Sequence, residues 1–175
     1  MPGPGLAKGP FAGNVISTDL WLAAMRNGQA FGRQLSLAAT NNPHVQLKNP
    51  TASGKIVIVH SLQGFSTSVD TTILAGIGNT NLTTLVGVGI NLDVANANAS
   101  VAQCRTQDVA TATITSPLYV DRSVALPLLG FAGTLSQLNN FRDFMVLGAG
   151  EGFEIVGVAT NYTLAVALQW IEIDG

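Results

Sequence analysis

Charged side chains are scarce in this sequence. Asp, Glu, Lys and Arg make up 10% of the 175 residues, whereas about 25% is usual for a soluble domain. Apolar residues reach 47%, and soluble monomers rarely expose large apolar areas to water. The composition therefore predicts that part of the apolar surface is covered, either by further copies of this chain or by a partner protein.

Cysteine and histidine are nearly absent. Cys104 is the single cysteine, and His44 and His60 are the two histidines. A lone cysteine excludes an intrachain disulfide, and this set contains no ligand cluster with metal-binding spacing. A chain of this length should bury roughly 70% of its unfolded surface. We therefore expect a stable fold without a metal or any other cofactor.

Long apolar runs and dense basic clusters are also missing. No run approaches the ~20 apolar residues of a membrane span, and the first residues lack the apolar core of a signal peptide. Without a Lys/Arg cluster, nucleic-acid binding is not expected either. Residues 1–50 nevertheless carry a charge of +3, which leaves −5 for the remainder. This asymmetry is either a solvated bias or a basic segment that docks on an acidic partner.

Proline and glycine are concentrated at the N-terminus. Residues 1–18 hold three of the seven prolines and four glycines, a composition that neither pairs inside a sheet nor propagates a helix. We expect an extended arm over residues 1–29, either disordered or laid over a neighbouring molecule. Within it, residues 19–25 could form a helical turn capped by Asp19 or an edge strand, and the sequence does not choose between them.

Short strand patterns at roughly ten-residue spacing follow from Ala30 onward. Turn residues separate them, and helical spacing is found only over residues 136–144, where one short helix is expected. Strand patterns cover residues 31–38, 45–48, 55–62, 69–78, 82–92 and 101–107, and weaker ones cover residues 110–115 and 118–126. This pattern predicts an all-β domain over residues 30–175, an antiparallel sandwich or barrel; composition alone does not separate a jelly roll from an immunoglobulin-like sandwich.

The C-terminal residues give the clearest strand signal. Residues 162–170 alternate without a break, which places Leu164, Val166, Leu168 and Trp170 on one face. Residues 153–159 are also apolar and β-branched, with turn residues between the two segments. We therefore expect an antiparallel hairpin that closes the sheet, with Trp170 in the core.

Catalytic patterns are weak, so an enzyme is not expected. His60 and Asp70 could join one of many serines in a triad, but no nucleophile-elbow pattern is present. Cys104 lies in a predicted strand and is expected to be a small structural residue. Glu154 and Glu172 are expected at exposed strand positions rather than in an acid-base pair.

Two segments resemble small virion structural proteins of tailed bacteriophages. The first is Leu47-Lys-Asn-Pro-Thr-Ala-Ser-Gly-Lys-Ile-Val-Ile-Val. The second is Leu147-Gly-Ala-Gly-Glu-Gly-Phe-Glu-Ile, followed by Leu164-Ala-Val-Ala-Leu-Gln-Trp-Ile-Glu, which is similar to the closing hairpin of that family. Ala149 departs from the proline that the family often has there. The resemblance covers residues from about 30 to the end and implies a jelly-roll β-sandwich, which would follow the extended N-terminal arm predicted from composition.

The resemblance further implies a non-enzymatic capsid decoration (cement) protein. Such a protein is made in the host bacterial cytoplasm, binds the major capsid protein on the outer capsid surface of the virion, and stabilises the shell as a homo-oligomer, a trimer or a dimer. The alternative is a tail, baseplate or head-fibre subunit with a receptor- or glycan-binding loop within residues 91–100. The expected partner contacts are Lys8, Phe11, Trp21, Arg26 and Arg33.

Overall fold

The computed structural model describes residues 20–66, 70–111, 114, 116–124, 145–158 and 160–175. Within these ranges the chain forms one short helix, α1, over residues 20–26, and eleven β-strands. The strands are β1 (Ala30–Ala39), β2 (Asn42–Lys48), β3 (Lys55–Ser66), β4 (Asp70–Ile77), β5 (Thr84–Val88), β6 (Ile90–Asn91), β7 (Gln103–Val109), β8 (Ser116–Val124), β9 (Met145–Leu147), β10 (Gly152–Val158) and β11 (Tyr162–Asp174). The prediction of an all-β fold is confirmed.

The strands form two antiparallel sheets that pack face to face. Sheet A has the order β6-β1-β11-β3-β9, and sheet B has the order β5-β7-β2-β10-β4-β8. When β5, β6 and β7 are set aside, each sheet has four strands. The chain crosses repeatedly between these two sheets, in the Greek-key order of a jelly roll. The three other strands are an insertion between β4 and β8 that widens the sandwich on one side.

The core lies between the inner faces of the two sheets. In β11 the even-numbered positions from Leu164 to Trp170 point inward and are buried, which confirms the alternation predicted from the sequence. Burying one such aliphatic side chain stabilises the fold by about 1.5–3 kcal/mol. The large core side chains are Phe31, Leu35, Val45, Leu47, Val57, Val59, Leu62, Leu147, Phe153, Ile155, Leu164, Val166, Leu168 and Trp170.

The predicted closing hairpin is wrong. β10 pairs with β2 and β4 in sheet B, whereas β11 pairs with β1 and β3 in sheet A. Thr160 and Asn161 therefore lie at a corner between the sheets, where Asn161 adopts a positive φ of 57°. Turn residues serve a hairpin and a sheet-to-sheet corner equally well, so local sequence did not distinguish the two. β10 is buried on both faces up to Gly157, as expected for an interior strand with a covered outer face.

Helix α1 covers part of the outer face of sheet A. Ala24 on the helix packs with Ala30 and Ile171 in a second buried cluster, and Trp21 and Met25 lie against it. The stretch that was predicted as either a helical turn or an edge strand is therefore helical over residues 20–26. Residues 20–29 belong to the packed domain, while residues 1–19 and the predicted helix over 136–144 lie outside the described residues.

Candidate functional site

Helix α1 carries two of the residues expected to contact a partner. The ring of Trp21 stacks on the ring of His60 in β3, with centroids 3.9 Å apart and planes 9° from parallel. The register of β3 against β11 shifts at this point, where a β-bulge includes His60. Arg26 is exposed at the end of the same helix. Lys8 and Phe11 lie outside the described residues, so their roles stay predictions.

Arg33 holds two sheets together. Its side chain lies on the inner side of β1, and its guanidinium donates to the carbonyl oxygens of Val88 at 2.6 Å and Val86 at 3.3 Å. Those carbonyls belong to β5 in the opposite sheet. The guanidinium is therefore bonded within its own chain, and its contact with a partner stays a prediction.

Residues 84–91 close the side of the sandwich where Arg33 lies. β5 pairs with β7 in sheet B, and after Gly89 the chain continues as β6, which pairs with β1 in sheet A. The amide of Leu92 then donates to the carbonyl of Ala30. One continuous segment, which we call the closing strand, thus bridges the edges of both sheets.

The closing strand has an inverted pattern, with glycine inside and aliphatic side chains outside. A Cβ on Gly89 would collide with the indole ring of Trp170, and a Cβ on Gly87 would lie 2.9 Å from the guanidinium of Arg33. Gly89 is therefore required by the ring beneath it, whereas Gly87 is required by its positive φ of 149°, because a guanidinium at the end of a flexible side chain can shift. On the outer side, exposed fractions are 42% for Val86, 39% for Val88 and 66% for Ile90.

Leu85 extends this outer row. A β-bulge lies between Leu85 and Gly87, where two residues of β5 face one of β7, and Leu85 is exposed to 51%. We call Leu85, Val86, Val88 and Ile90 the outer ridge. The alternation of glycine and aliphatic residues is visible in the sequence, but only the positions of Trp170 and Arg33 decide which face is inside.

The outer face of sheet B carries a buried polar network. Nδ1 of His44 in β2 lies 2.7 Å from Oε1 of Glu154 in β10, and neither side chain is exposed. Next to them, Gln46 donates to the carbonyls of Gly78 and Thr80 at 2.6 and 2.8 Å. Lys48 donates to the carbonyls of Asn79 and Gly150, both at 2.5 Å. These bonds fix the loop over residues 78–83, which connects β4 to β5 across the sheet.

The ionisable side chains of this network have a structural role. Burial, followed by the neighbouring charge of Arg105, lowers the pKa of Lys48 below its usual value. The expectation that Glu154 and Glu172 are exposed is wrong, because they are exposed to only 0% and 3%. Alternation does not reveal an outer face that the rest of the chain covers, and sequence analysis therefore missed this network.

Glu172 anchors the loop that precedes β7. Its Oε1 accepts from the Ser100 hydroxyl at 2.5 Å, the Ala102 amide at 3.1 Å and the Trp170 indole at 3.0 Å. Its Oε2 accepts from the Val101 amide at 2.9 Å. The carboxylate thus satisfies four donors and is part of the fold rather than a free acid or base.

The residues considered for catalysis are not brought together. His60 is on the outer side of sheet A, stacked on Trp21, while Cys104 is fully buried between the sheets. Burial, the largest effect, raises the pKa of the Cys104 thiol to about 12, with Arg33 opposing and Glu172 adding to the shift. A thiol with this pKa is a poor nucleophile. Within the described ranges, no group of three or more His, Cys, Asp or Glu side chains is arranged around a possible metal position.

A cavity of about 410 Å³ opens beside the end of α1. Its polar lining residues are Asn27, Gln29, Lys55, Asn98 and Glu172. Lys55 pairs with the exposed Asp174 at 2.5 Å. The loop over residues 91–100, predicted as a candidate glycan-binding segment, contributes Asn98 and Ala99 to this cavity.

Asn49 joins the turn after β2 to the turn between β9 and β10. Its backbone amide donates to the carbonyl of Glu151 and its carbonyl accepts from Gly150, both at 2.9 Å. Its buried side-chain amide donates to the carbonyls of Leu147 at 3.0 Å and Lys55 at 2.8 Å. The Asn-Pro turn and the glycine-rich turn therefore form one structural unit.

The described part of the chain has no helix of the length and apolarity that a membrane crossing requires. No protein-family model, curated protein or solved structure matches this chain.

Proposed function

We propose that this chain is a bacteriophage capsid decoration protein. In this role it binds the major capsid protein on the outer surface of the virion as a homo-oligomer and stabilises the shell without catalysis. The observation that carries the proposal is the contact between the two segments that resemble phage virion proteins. Asn49 and Leu147 are 98 positions apart in the sequence, yet they are joined by a hydrogen bond of 3.0 Å.

The architecture is compatible with this role. Jelly rolls with two packed sheets occur in viral capsid domains and in lectins, although a fold by itself assigns no function. A decoration protein acts by many weak contacts made simultaneously over a repeating lattice. A rigid sandwich whose polar groups are bonded internally, as around Glu172 and Lys48, suits such a subunit.

Helix α1 and the segment before it are the proposed contact with the shell. Trp21 and Arg26 lie on the helix, and Lys8 and Phe11 precede it in the sequence. Arg33 would reach a partner only by giving up its bonds to Val86 and Val88.

The test is a binding assay with expanded, undecorated capsids assembled from the shell protein of the same genome. Copies bound per particle are counted by sedimentation and gel densitometry. Hundreds of copies that saturate at a multiple of the lattice number support a decoration protein. A dozen or fewer indicate a vertex or tail position, and no binding overturns the proposal.

Two variants localise the contact. Deleting residues 1–18 and substituting Arg26→Ala should each weaken capsid binding while the circular dichroism spectrum stays that of the parent. The matched control is Thr160→Glu, which also changes the charge by −1 but lies at the opposite end of β1, near the corner that follows β10. Equal binding by the deletion variant and the parent would exclude the arm as the contact.

A tail, baseplate or head-fibre subunit that binds a glycan is the second candidate. The observation that favours it is the cavity beside α1, where the side chains of Asn27, Gln29 and Asn98 offer amide donors and acceptors. A glycan array tests this candidate, with Asn98→Ala expected to lose any signal. Binding that survives this substitution would place the glycan elsewhere.

A further inference from the structure

We infer that the outer ridge is the surface through which two copies of this chain associate about a two-fold axis. This inference deepens the proposed function, because a homo-oligomeric decoration protein needs a surface for self-association. The biological purpose of the dimer rests on the proposed function. The association itself can be measured without any capsid.

The inverted pattern of the closing strand is the first step. Trp170 leaves no room for a side chain at Gly89, and a positive φ of 149° favours glycine at position 87, so the core and the backbone determine the inner face. Nothing in the core requires the outer face to be aliphatic. Val86, Val88 and Ile90 nevertheless point to solvent there, where strands at the edges of soluble monomers commonly carry charged residues.

Part of the backbone of the closing strand is already paired on each of its two sides. One edge pairs with β7. On the other, the carbonyls of Val86 and Val88 accept from Arg33, and the amide of Leu92 donates to Ala30. A partner therefore cannot add a strand to this edge without breaking these bonds, so that the ridge must be recognised through its side chains.

The charge of the closing strand is compatible with a second copy as the partner. Residues 84–92 contain no Asp, Glu, Lys or Arg, and the cation on the neighbouring strand, Arg105 opposite Leu85, is bonded to the Leu82 carbonyl and to Gln103. An interface with two-fold symmetry places the same patch on both sides, so a charged patch would meet its own sign, whereas a neutral apolar patch is compatible with itself. The ridge meets this requirement.

The distribution of the other exposed aliphatic residues favours a two-fold axis over a ring. In the described ranges they are the pair Leu20 and Leu22 on α1, and Val94, Val146 and Val158 at separate sequence positions. A head-to-tail contact needs a second patch that matches the ridge, and these positions do not form a comparable row along one strand. Within the part of the chain that the structure describes, the ridge is therefore best matched by its own copy.

The size of the ridge suits the centre of such an interface. Four partly exposed aliphatic side chains present on the order of 300–400 Å² of apolar surface, within the range at which a patch on a monomer is often functional. A stable interface buries about 800 Å² per partner, so that flanking residues must contribute. Val94, exposed to 98% just beyond β6, is placed to do so.

The experiment is sedimentation velocity of the full chain over a hundredfold range of concentration. The parent should sediment as a dimer at the upper end. The double variant Val88→Thr with Ile90→Thr, which keeps β-branched side chains, should weaken dimerisation at least tenfold. Val146→Thr is the matched control, since Val146 is a strand residue exposed to 58%, and it should dimerise like the parent.

A second measurement tests the two-fold symmetry directly. Ile90→Cys should form an intermolecular disulfide between identical positions under mild oxidation, while Cys104 stays buried and unmodified. A parent that is monomeric at every concentration, or a ridge variant that dimerises unchanged, overturns the inference. Dimerisation without capsid binding would instead refute the proposed function and leave the inference standing.

Discussion

The imidazole of His44 and the carboxylate of Glu154 lie 2.7 Å apart on neighbouring strands of sheet B, and neither side chain is exposed to solvent. Because removing one partner leaves the other buried without its counterpart, Glu154→Ala should lower the free energy of unfolding by about 1–3 kcal/mol. Glu154→Gln, which keeps the volume and one acceptor, should cost less. Urea denaturation followed by circular dichroism measures both values.

The control for this pair is the exposed ion pair on sheet A. Lys55 and Asp174 are also in contact, but the side chain of Asp174 is 87% exposed. Exposed ion pairs contribute at most about 1 kcal/mol, so Asp174→Asn should barely change the unfolding midpoint. A loss as large as that of Glu154→Ala would contradict the argument from burial.

Gly89→Ala tests whether packing against the core requires glycine on the inner face of the closing strand. Its new Cβ would collide with Trp170 and lie 2.9 Å from the Cβ of Phe31, and overpacking of this kind costs about 1–3 kcal/mol. The fluorescence maximum of the variant should also shift if the indole is displaced. Gly148→Ala is the control, because its Cβ would meet only the side-chain end of Glu151 at 3.4 Å. Equal stability of the two variants would refute the packing explanation.

Glu172→Gln tests the anchor of the loop before β7. An amide nitrogen would replace one carboxylate oxygen and face a donor, either the Val101 amide or the group around Ser100. The expected loss is about 1–3 kcal/mol, with faster hydrogen exchange at the amides of Val101 and Ala102. Glu151→Gln changes an exposed carboxylate that accepts one bond, from the Gly148 amide, and should have a smaller effect.

How far the sequence predicted the fold depended on whether the signal was local. Alternation located β11 and its inner face correctly from Leu164 to Trp170, because a period of two reflects one buried face. The pairing of β10 with β11 was wrong, because Thr160 and Asn161 suit either a hairpin or a corner. Strand order depends on contacts between distant residues, which no local pattern contains.

The outer ridge shows the same limit of prediction from local sequence. Val86, Val88 and Ile90 looked like an ordinary strand in the sequence, since aliphatic residues usually mark the buried face. Their exposure became apparent only once Trp170 was placed beneath Gly89. The buried state of Glu154 was missed for a related reason, because its strand is covered on the outer face as well.

Cys104 should make stability fall at alkaline pH. Burial raises its pKa from 9.0 to about 12 in the folded protein, so that the unfolded chain loses this proton more readily. The stabilisation is fully present below pH 9 and is lost as the pH rises from 9 towards 12. Cys104→Ala removes this group, and the difference in unfolding free energy between parent and variant should therefore shrink over that range.

A thiol-reactivity measurement checks the same burial independently. In the native parent, Cys104 should react with an aromatic disulfide reagent at pH 8 at least a hundredfold more slowly than in urea, because only the accessible thiolate attacks. The alanine variant serves as the blank. Rapid reaction of the folded protein would show that the thiol is reachable and would contradict both its raised pKa and the pH dependence derived from it.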